Sequence, residues 1–120
     1  MIGFGKFSPE IEKEIDQKGY HILNPSLPLG SYPNVFPKYQ KIKEIRIGCI
    51  YAVRLFVKIT KGNSYSIDSG MIDIKIIMKA KEDFIGEIIT LLPGNFPVSK
   101  GQNIPIKSDE ILFEQKGRRA

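Results

Sequence analysis

Nucleophilic catalysis by a thiol would need the one cysteine and the one histidine of this 120-residue chain, Cys49 and His21. A reactive cysteine requires a lowered pKa, from a nearby cation or helix N-terminus, and a base within hydrogen-bond reach. Cys49 stands in the apolar run Ile47-Gly48-Cys49-Ile50, which predicts a small buried hydrophobe. We interpret His21, between Tyr20 and Ile22, as a partly exposed packing residue. The sequence therefore predicts no thiol catalysis.

The other groups that could do chemistry do not form a recognised site. One cysteine excludes an internal disulfide, and one cysteine with one histidine cannot build the usual zinc site. The carboxylate pairs Glu82-Asp83 and Asp109-Glu110 fall at predicted turns, where we interpret them as solvated. Asp68 and Asp73 flank Ser69-Gly70 without the oxygen-rich loop of a calcium site. Because no GxxxxGK[ST] or GxGxxG phosphate-binding motif is present either, we expect neither an enzyme nor a bound cofactor or metal.

The positive charge of the chain is concentrated in its middle third. The chain carries 18 Lys and Arg against 13 Asp and Glu, a net charge of +5. Residues 38–81 hold ten of the basic and only three of the acidic side chains. Such a concentration attracts an anionic partner, namely a nucleic acid, an acidic protein or an acidic membrane surface. The alternative interpretation is that lysines on exposed strand faces protect the edges of a sheet and keep it soluble.

One helix and a series of strands must position these groups. Ser8-Pro9 predicts the start of a helix and Lys18-Gly19 its end. Two isoleucines four residues apart give this helix a narrow apolar stripe that we expect to dock on a sheet. Residues 24–37 contain four of the eight prolines and are interpreted as an apolar arm lying over that sheet. From Ile42 onward apolar and polar residues alternate, which predicts β-strands.

Turn signals divide this alternating region. Lys61-Gly62-Asn63-Ser64 predicts a hairpin turn before a strand over 72–80, and the next strand is expected over 84–92. In that strand Gly86 predicts a bulge or a close approach. Pro105 predicts an edge strand, and residues 109–113 predict a last short strand or 3₁₀ turn. The sequence therefore predicts an α+β fold in which a short N-terminal helix accompanies a small, strongly bent antiparallel β-sheet or an SH3-like, partly open barrel.

We interpret residues 1–120 as a single domain with three parts. These are an N-terminal helix and extension over 1–23, the proline-rich arm over 24–37, and the sheet or barrel over 42–114. The length is ordinary for one domain.

Several segments of the strand region share a pattern with a known group of small domains. They are the strands over 52–58 and 71–76, Phe84-Ile85-Gly86-Glu87-Ile88, and residues 96–106 followed by Asp109-Glu110-Ile111. Residues 51–113 thereby resemble the YegJ-like small bacterial domains, a family with no established activity. The chain differs at residues 68–72, where the family has an acidic-His-Met-Trp stretch, and at Leu112-Phe113, where it has Asp-Trp. The resemblance implies the hairpin-rich fold and implies little about activity.

We expect a non-catalytic binding module of bacterial or phage type that acts through protein–protein contact, and an immunity or inhibitor-like role is one form of it. No apolar run approaches the ~18–20 residues of a bilayer span, and the N-terminus has no signal-peptide h-region. We therefore expect a cytosolic location and no membrane partner. The predicted binding surface combines the arm with the basic strands: Arg54, Phe56, Lys58, Lys75, Lys79, Tyr32 and Phe36.

The alternative is a small β-barrel that binds nucleic acid through a basic strand face. Such barrels stack the bases of a single strand on aromatic side chains beside a cationic groove. The required mixture is present in the strand region: Tyr51, Phe56, Tyr65, Arg54, Lys58, Lys75 and Lys79.

Overall fold

A computed structural model describes residues 7–27, 31–32 and 44–115 of the chain. The elements, in chain order, are helix α1 (Pro9–Lys18), strands β1 (Tyr20–Ile22), β2 (Ile50–Lys61), β3 (Ser64–Ala80), β4 (Asp83–Ile88) and β5 (Asn103–Ile106), a 3₁₀ turn (Ser108–Glu110) and β6 (Phe113–Glu114). The strands pair antiparallel in the order β1-β2-β3-β4-β5, and β6 also pairs with β2. This sheet curls into a half-barrel, which confirms the predicted α+β fold.

Helix α1 forms because local residues cap both of its ends. The N–H of Ile11 donates to the Ser8 side chain (3.4 Å), and Pro9 is the first helical residue. Gly19 adopts a left-handed φ of 85°, and its N–H donates to the carbonyl of Ile15 (2.7 Å). The predicted start and end of the helix are both confirmed.

One face of the sheet, called the inner face below, carries the main core. Strand β2 contributes every second residue to it: Tyr51, Val53, Leu55, Val57 and Ile59. Isoleucines of β3, β4 and β5 extend the layer: Ile72, Ile74, Ile76, Ile88, Ile104 and Ile106. This alternation is the pattern that the sequence predicted for residues 53–59 and 72–76.

The opposite, outer face of β2 carries a second cluster beneath α1. Phe56 belongs to this cluster and is only 5% exposed. The remaining members come from the helix segment and from two leucines that follow β1 and the 3₁₀ turn: Phe7, Ile11, Ile15, Leu23 and Leu112. The isoleucine stripe of α1 docks on the sheet as predicted, and β2 is buried on both faces where the helix covers it.

Strands β2 and β3 form a long hairpin. The turn predicted at Lys61-Gly62-Asn63-Ser64 is confirmed. Lys61 pairs with Ser64, so that the turn itself consists of Gly62-Asn63, and Gly62 has a φ of 57°. Strand β3 is 17 residues long and begins eight residues before the predicted start at residue 72. Only its second half, from Ile74 onward, pairs with β4.

A β-bulge interrupts the pairing of β3 with β4. The register shifts between Ile76 and Met78, so that Ile77 is an extra residue in β3. Gly86 in β4 lies where a Cβ atom would be 3.1 Å from Cδ1 of Ile74 and 3.3 Å from Cγ1 of Ile106. The close approach predicted at Gly86 is confirmed, and the bulge lies in the facing strand. Beyond Ile77, the residues of β3 therefore lie on the opposite face of the sheet from the one that simple alternation predicts.

The start of the strand region differs from the prediction. Ile47 and Gly48 form a turn, and β2 begins only at Ile50. The reason is the left-handed φ of 92° at Gly48, whose N–H donates to the carbonyl of Ile76 (2.7 Å).

Strand β4 ends at Ile88 rather than at residue 92. At this point the backbone N–H of Asp73 donates to the side-chain hydroxyl of Thr90 rather than to a backbone carbonyl. Pro105 lies in β5, an outermost strand of the sheet, as predicted. Of the arm over 24–37, only residues 24–27 and 31–32 are described, so that Phe36 lies outside the described residues.

Substitution of Gly86 tests the close contact between β4 and its neighbours. We expect Gly86→Ala to lower the free energy of unfolding by about 1–3 kcal/mol, because the added methyl group displaces two core isoleucines. Gly70→Ala in β3 is the matched control, since its Cβ would meet nothing within 4 Å, and it should change stability by less than about 0.5 kcal/mol. Urea unfolding measures both, and equal effects would contradict the tight contact at Gly86.

Candidate functional site

A chain of hydrogen-bonded polar side chains adjoins the outer cluster. Nδ1 of His21 lies 2.7 Å from Oε2 of Glu14, and Nε2 of His21 lies 2.6 Å from the hydroxyl of Tyr32. The same hydroxyl accepts the backbone N–H of Asn24 (2.8 Å). Nζ of Lys18 lies 3.8 Å from the Glu14 carboxylate. These contacts join α1, β1 and the segment that contains Tyr32.

The turn at Gly19 explains how His21 reaches this position. It reverses the chain at the end of α1, so that β1 returns beneath the helix and meets Glu14 in the last helical turns. Because Tyr20 and Ile22 belong to the inner core, the intervening imidazole points to the outer face. There it stacks on Phe56, with 6.3 Å between ring centroids, and Tyr32 stacks on Phe56 at 5.7 Å.

Burial determines the protonation of this chain. It lowers the pKa of His21 below its ordinary value of 6.5, although the hydrogen bond to Glu14 favours the charged ring. Burial also raises the pKa of Tyr32 to about 12. Neutral His21 therefore donates from Nδ1 to Glu14 and accepts the Tyr32 proton at Nε2, so that both ring nitrogens have a partner.

A carboxylate, an imidazole and a hydroxyl in this order resemble the geometry of a nucleophilic triad. A nucleophile must however be accessible and easily deprotonated, whereas the pKa of Tyr32 is raised and His21 is only 5% exposed. The arrangement therefore serves as a structural link between three segments. The expectation that His21 is partly exposed is wrong, because the ring lies between Glu14, Tyr32 and Phe56.

Cys49 and His21 do not form a nucleophile–base pair. Cys49 is half-buried and packs against the inner core, whereas His21 lies with the aromatic residues of the outer cluster. The sheet separates the two side chains.

Glu110, in the 3₁₀ turn, is partly buried and not solvated as predicted. Burial raises its pKa from 4.5 to about 7, and the charge of Glu14 acts in the same direction. Its Oε1 accepts the backbone N–H of Lys107 (2.8 Å), which opposes the rise. Its neighbour Asp109 is exposed, as expected for the pair.

The residues of the predicted binding surface have different environments. Arg54, Phe56 and Lys58 alternate along the outer face of β2, but Phe56 is buried in the outer cluster. Nζ of Lys58 pairs with Oδ1 of Asp16 (3.1 Å) and lies 4.5 Å from the ring centroid of Tyr65. Tyr32, half-buried, stacks on Phe56. These contacts leave Arg54 as the one of the three β2 residues that is neither buried nor ion-paired in the described part of the chain.

Lys75 and Lys79 lie on opposite faces of the sheet. Lys75 is directly opposite Glu87 in β4 and shares the outer face with Asp73. Lys79 is directly opposite Phe84, a residue of the inner core, and paired residues share a face. The bulge at Ile77 is the cause, since simple alternation would place both lysines on one face.

Two exposed apolar side chains flank Arg54 on the outer face. Met71, paired with Arg54, is 39% exposed, and Phe113 of β6, paired with the neighbouring Ala52, is 41% exposed. Arg54 is half-buried, and its Nε has no hydrogen-bond partner among the described residues. We call Arg54, Met71, Lys75 and Phe113 the Arg54 surface. Alternation along β2 and β3 indicates that these residues share a face, but neither apolar neighbour of Arg54 was predicted to take part.

Within residues 7–27, 31–32 and 44–115, no three His, Cys, Asp or Glu side chains are grouped to hold a metal ion. The same ranges contain no helix with the length and apolar composition needed to cross a bilayer. Comparison with known protein families, curated proteins and solved structures finds no match to the chain.

The raised pKa of Glu110 should make the free energy of unfolding depend on pH. Because its pKa is raised on folding, its contribution is fully present below about pH 4.5 and is lost as the pH rises through 7. In the unaltered protein, Glu110 should lower the free energy of unfolding by on the order of 2 kcal/mol between pH 5 and 8. We expect this decrease to be absent in Glu110→Gln. Denaturant unfolding at several pH values measures the slope. Asp109→Asn is the control, and an unchanged slope in Glu110→Gln would refute the assignment.

Substitution of Tyr32 tests how much its hydrogen bond to His21 stabilises the fold. We expect Tyr32→Phe to lower the free energy of unfolding by about 1–3 kcal/mol, because Nε2 of buried His21 and the N–H of Asn24 lose their partner. Tyr65→Phe, at a ring that is 59% exposed, should change it by less than about 0.5 kcal/mol. If thermal and urea unfolding give similar losses for the two variants, the hydrogen-bond chain does not stabilise the fold.

Proposed function

We propose that the protein is a non-catalytic, cytosolic binding module that contacts another protein through the Arg54 surface. The supporting observation is the exposure of Met71 and Phe113 on either side of half-buried Arg54. Aromatic residues, Met and Arg are enriched in the cores of protein interfaces, and Arg is frequent among the residues that dominate binding energy. An immunity or inhibitor-like role in a bacterial or phage setting is one form of this function. The YegJ-like resemblance stays a prediction.

Two observations support the non-catalytic part of the proposal. The hydroxyl in the Glu14–His21–Tyr32 chain has a raised pKa, and burial withholds the imidazole from a substrate. Cys49 packs on the other side of the sheet from the one histidine. Neither arrangement provides an activated nucleophile at an accessible position.

The nucleic-acid alternative has weaker support from the geometry. Base stacking needs an accessible aromatic face beside several cations. Tyr51 and Phe56 are buried, and the exposed ring of Tyr65 already contacts the ammonium group of Lys58. Lys58 is paired with Asp16, and Lys79 faces away from Lys75. The chain therefore offers a single-stranded nucleic acid no continuous basic face along β2 and β3 in the residues described.

A pull-down tests the protein-binding proposal. We expect the tagged chain to recover a stoichiometric protein from a lysate of its source cells at roughly 150 mM salt, where exposed long-range charge interactions are screened. The double variant Arg54→Gln with Phe113→Ser should reduce recovery at least about tenfold, a loss typical of removing hot-spot residues. Leu91→Ser, at a leucine that is 81% exposed outside this surface, is the control and should retain the partner.

The outcomes separate the two functions. Recovery of no protein, or equal recovery by both variants, would overturn the Arg54 surface as the contact. Tight binding of single-stranded oligonucleotide at ~50 mM salt that falls steeply as salt rises would instead favour the nucleic-acid alternative.

A further inference from the structure

Among the described residues, the first half of β3 has a backbone edge that pairs with no other strand. Strand β4 begins to pair only at Ile74, so that residues 64–72 pair with β2 alone among the strands that the structure describes. Asp73 shows which backbone groups point away from β2, because its N–H donates to Oγ1 of Thr90 (2.8 Å) and its carbonyl accepts the N–H of Ile89 (3.0 Å). By alternation, the N–H and C=O groups of residues 65, 67, 69 and 71 point the same way. Within the described ranges, no backbone hydrogen bond from another segment reaches them.

Within the described residues, this edge has few of the features by which proteins usually protect edges, and Asp68 is its one charged side chain. Short length, Pro, Lys and bulges discourage the addition of a further strand. Strand β5, at one end of the sheet, has four residues and contains Pro105. By contrast, residues 64–72 contain neither Pro nor Lys, and Tyr65 and Met71 are exposed there. The edge therefore presents a regular template of donors and acceptors to another extended chain.

A surface depression lies beside the edge. Its lining combines apolar and aromatic side chains of the helix segment and β3 with two carboxylates of α1: Phe7, Ile15, Tyr65, Ile67, Glu12 and Asp16. The ammonium group of Lys58, which contacts Asp16 and the Tyr65 ring, is a cation already bound at this place. Glu12 has no ion-pair partner within the described ranges. An entering segment with a basic side chain satisfies this carboxylate.

We propose that residues 65–71 of β3 bind an extended, basic segment of a partner protein as an added antiparallel strand. Main-chain hydrogen bonds to the edge provide affinity, and alternate side chains of the segment face the acidic depression. A second copy of this chain fits less well, because pairing over the whole edge would place the Asp68 carboxylates of the two copies directly opposite each other. The inference rests on the proposed function in that the partner is a protein, but it uses the backbone edge of β3, which shares only Met71 with the Arg54 surface.

The test uses a capped eight-residue peptide of alternating Lys and Val as the probe. We expect fluorescence anisotropy to detect its binding, and hydrogen exchange followed by NMR to show added protection at residues 65, 67, 69 and 71 but not at 66, 68 and 70. The same peptide N-methylated at every lysine should bind at least about tenfold more weakly, because the residues whose side chains face the depression then cannot donate their N–H groups to the edge.

Two pairs of protein variants complete the test. Ser69→Pro removes one outward donor without removing a bond to β2 and should weaken peptide binding at least about threefold. Glu12→Lys should weaken it comparably, whereas Glu10→Lys, at an exposed acid of the same helix outside the depression, should not. If Ser69→Pro does not fold, the N-methylated peptide still decides the question on the unaltered protein.

Three results would overturn the inference: no binding of the probe, equal binding of the N-methylated probe, or dimerisation of the chain that protects the same amides without peptide. Loss of the pulled-down partner on mutation of Arg54 and Phe113 is independent of these results. Failure of strand addition is therefore distinguishable from failure of the proposed function.

Discussion

The structure depends on the burial of strand β2 on both faces. Its odd-numbered residues from Tyr51 to Ile59 form the inner core, while Phe56 on the other face is covered by the helix segment. A slip of one residue would exchange the faces and place Arg54 and Lys58 in the inner core. Burial of two unpaired cations is strongly unfavourable. The position of β2 is thus fixed from both sides, and β1, β3 and β6 all take their register from it.

Features determined by neighbouring residues could be predicted from the sequence. The ends of α1 follow from Ser8-Pro9 and Gly19, and the hairpin turn follows from Gly62-Asn63, since each depends on local backbone conformation. The alternation of apolar residues in β2 likewise identifies the face that joins the main core. These signals suffice for the α+β class and for the curled antiparallel sheet.

The candidate site could be predicted only in part, because its environment is made by distant segments. Phe56 stands between Arg54 and Lys58 and has the pattern of an exposed residue, yet Phe7 and Tyr32 cover it from far along the chain. The same holds for His21, whose partner Tyr32 follows several prolines without any periodic signal. Arg54 was identified because alternation alone places it outward, whereas Met71 and Phe113 become its neighbours only through strand pairing.

The charge pattern shows the same limit, and the bulge at Ile77 is decisive. In sequence, Asp73, Lys75, Ile77 and Lys79 continue one alternating series, but the extra residue transfers Lys79 to the face of Phe84. Gly86 signals an irregularity at this place, but the glycine itself marks the close approach to Ile74 and Ile106, and the extra residue lies in β3. The basic middle third is consequently divided between two faces of the sheet.

Pairing with acidic side chains divides the basic residues further. Asp16 of α1 forms an ion pair with Lys58. Glu114 of β6 forms one with Arg46, whose guanidinium lies 3.3 Å from the Glu114 carboxylate. Two regions of different charge therefore lie on the outer face of the β2–β3 hairpin. One contains Arg54, and the other adjoins the carboxylates of α1. A purely anionic partner would be attracted to the first region and repelled by the second. A protein partner with both signs of charge satisfies both regions, and this is the physical reason for which we propose specific protein contact rather than attraction to a polyanion.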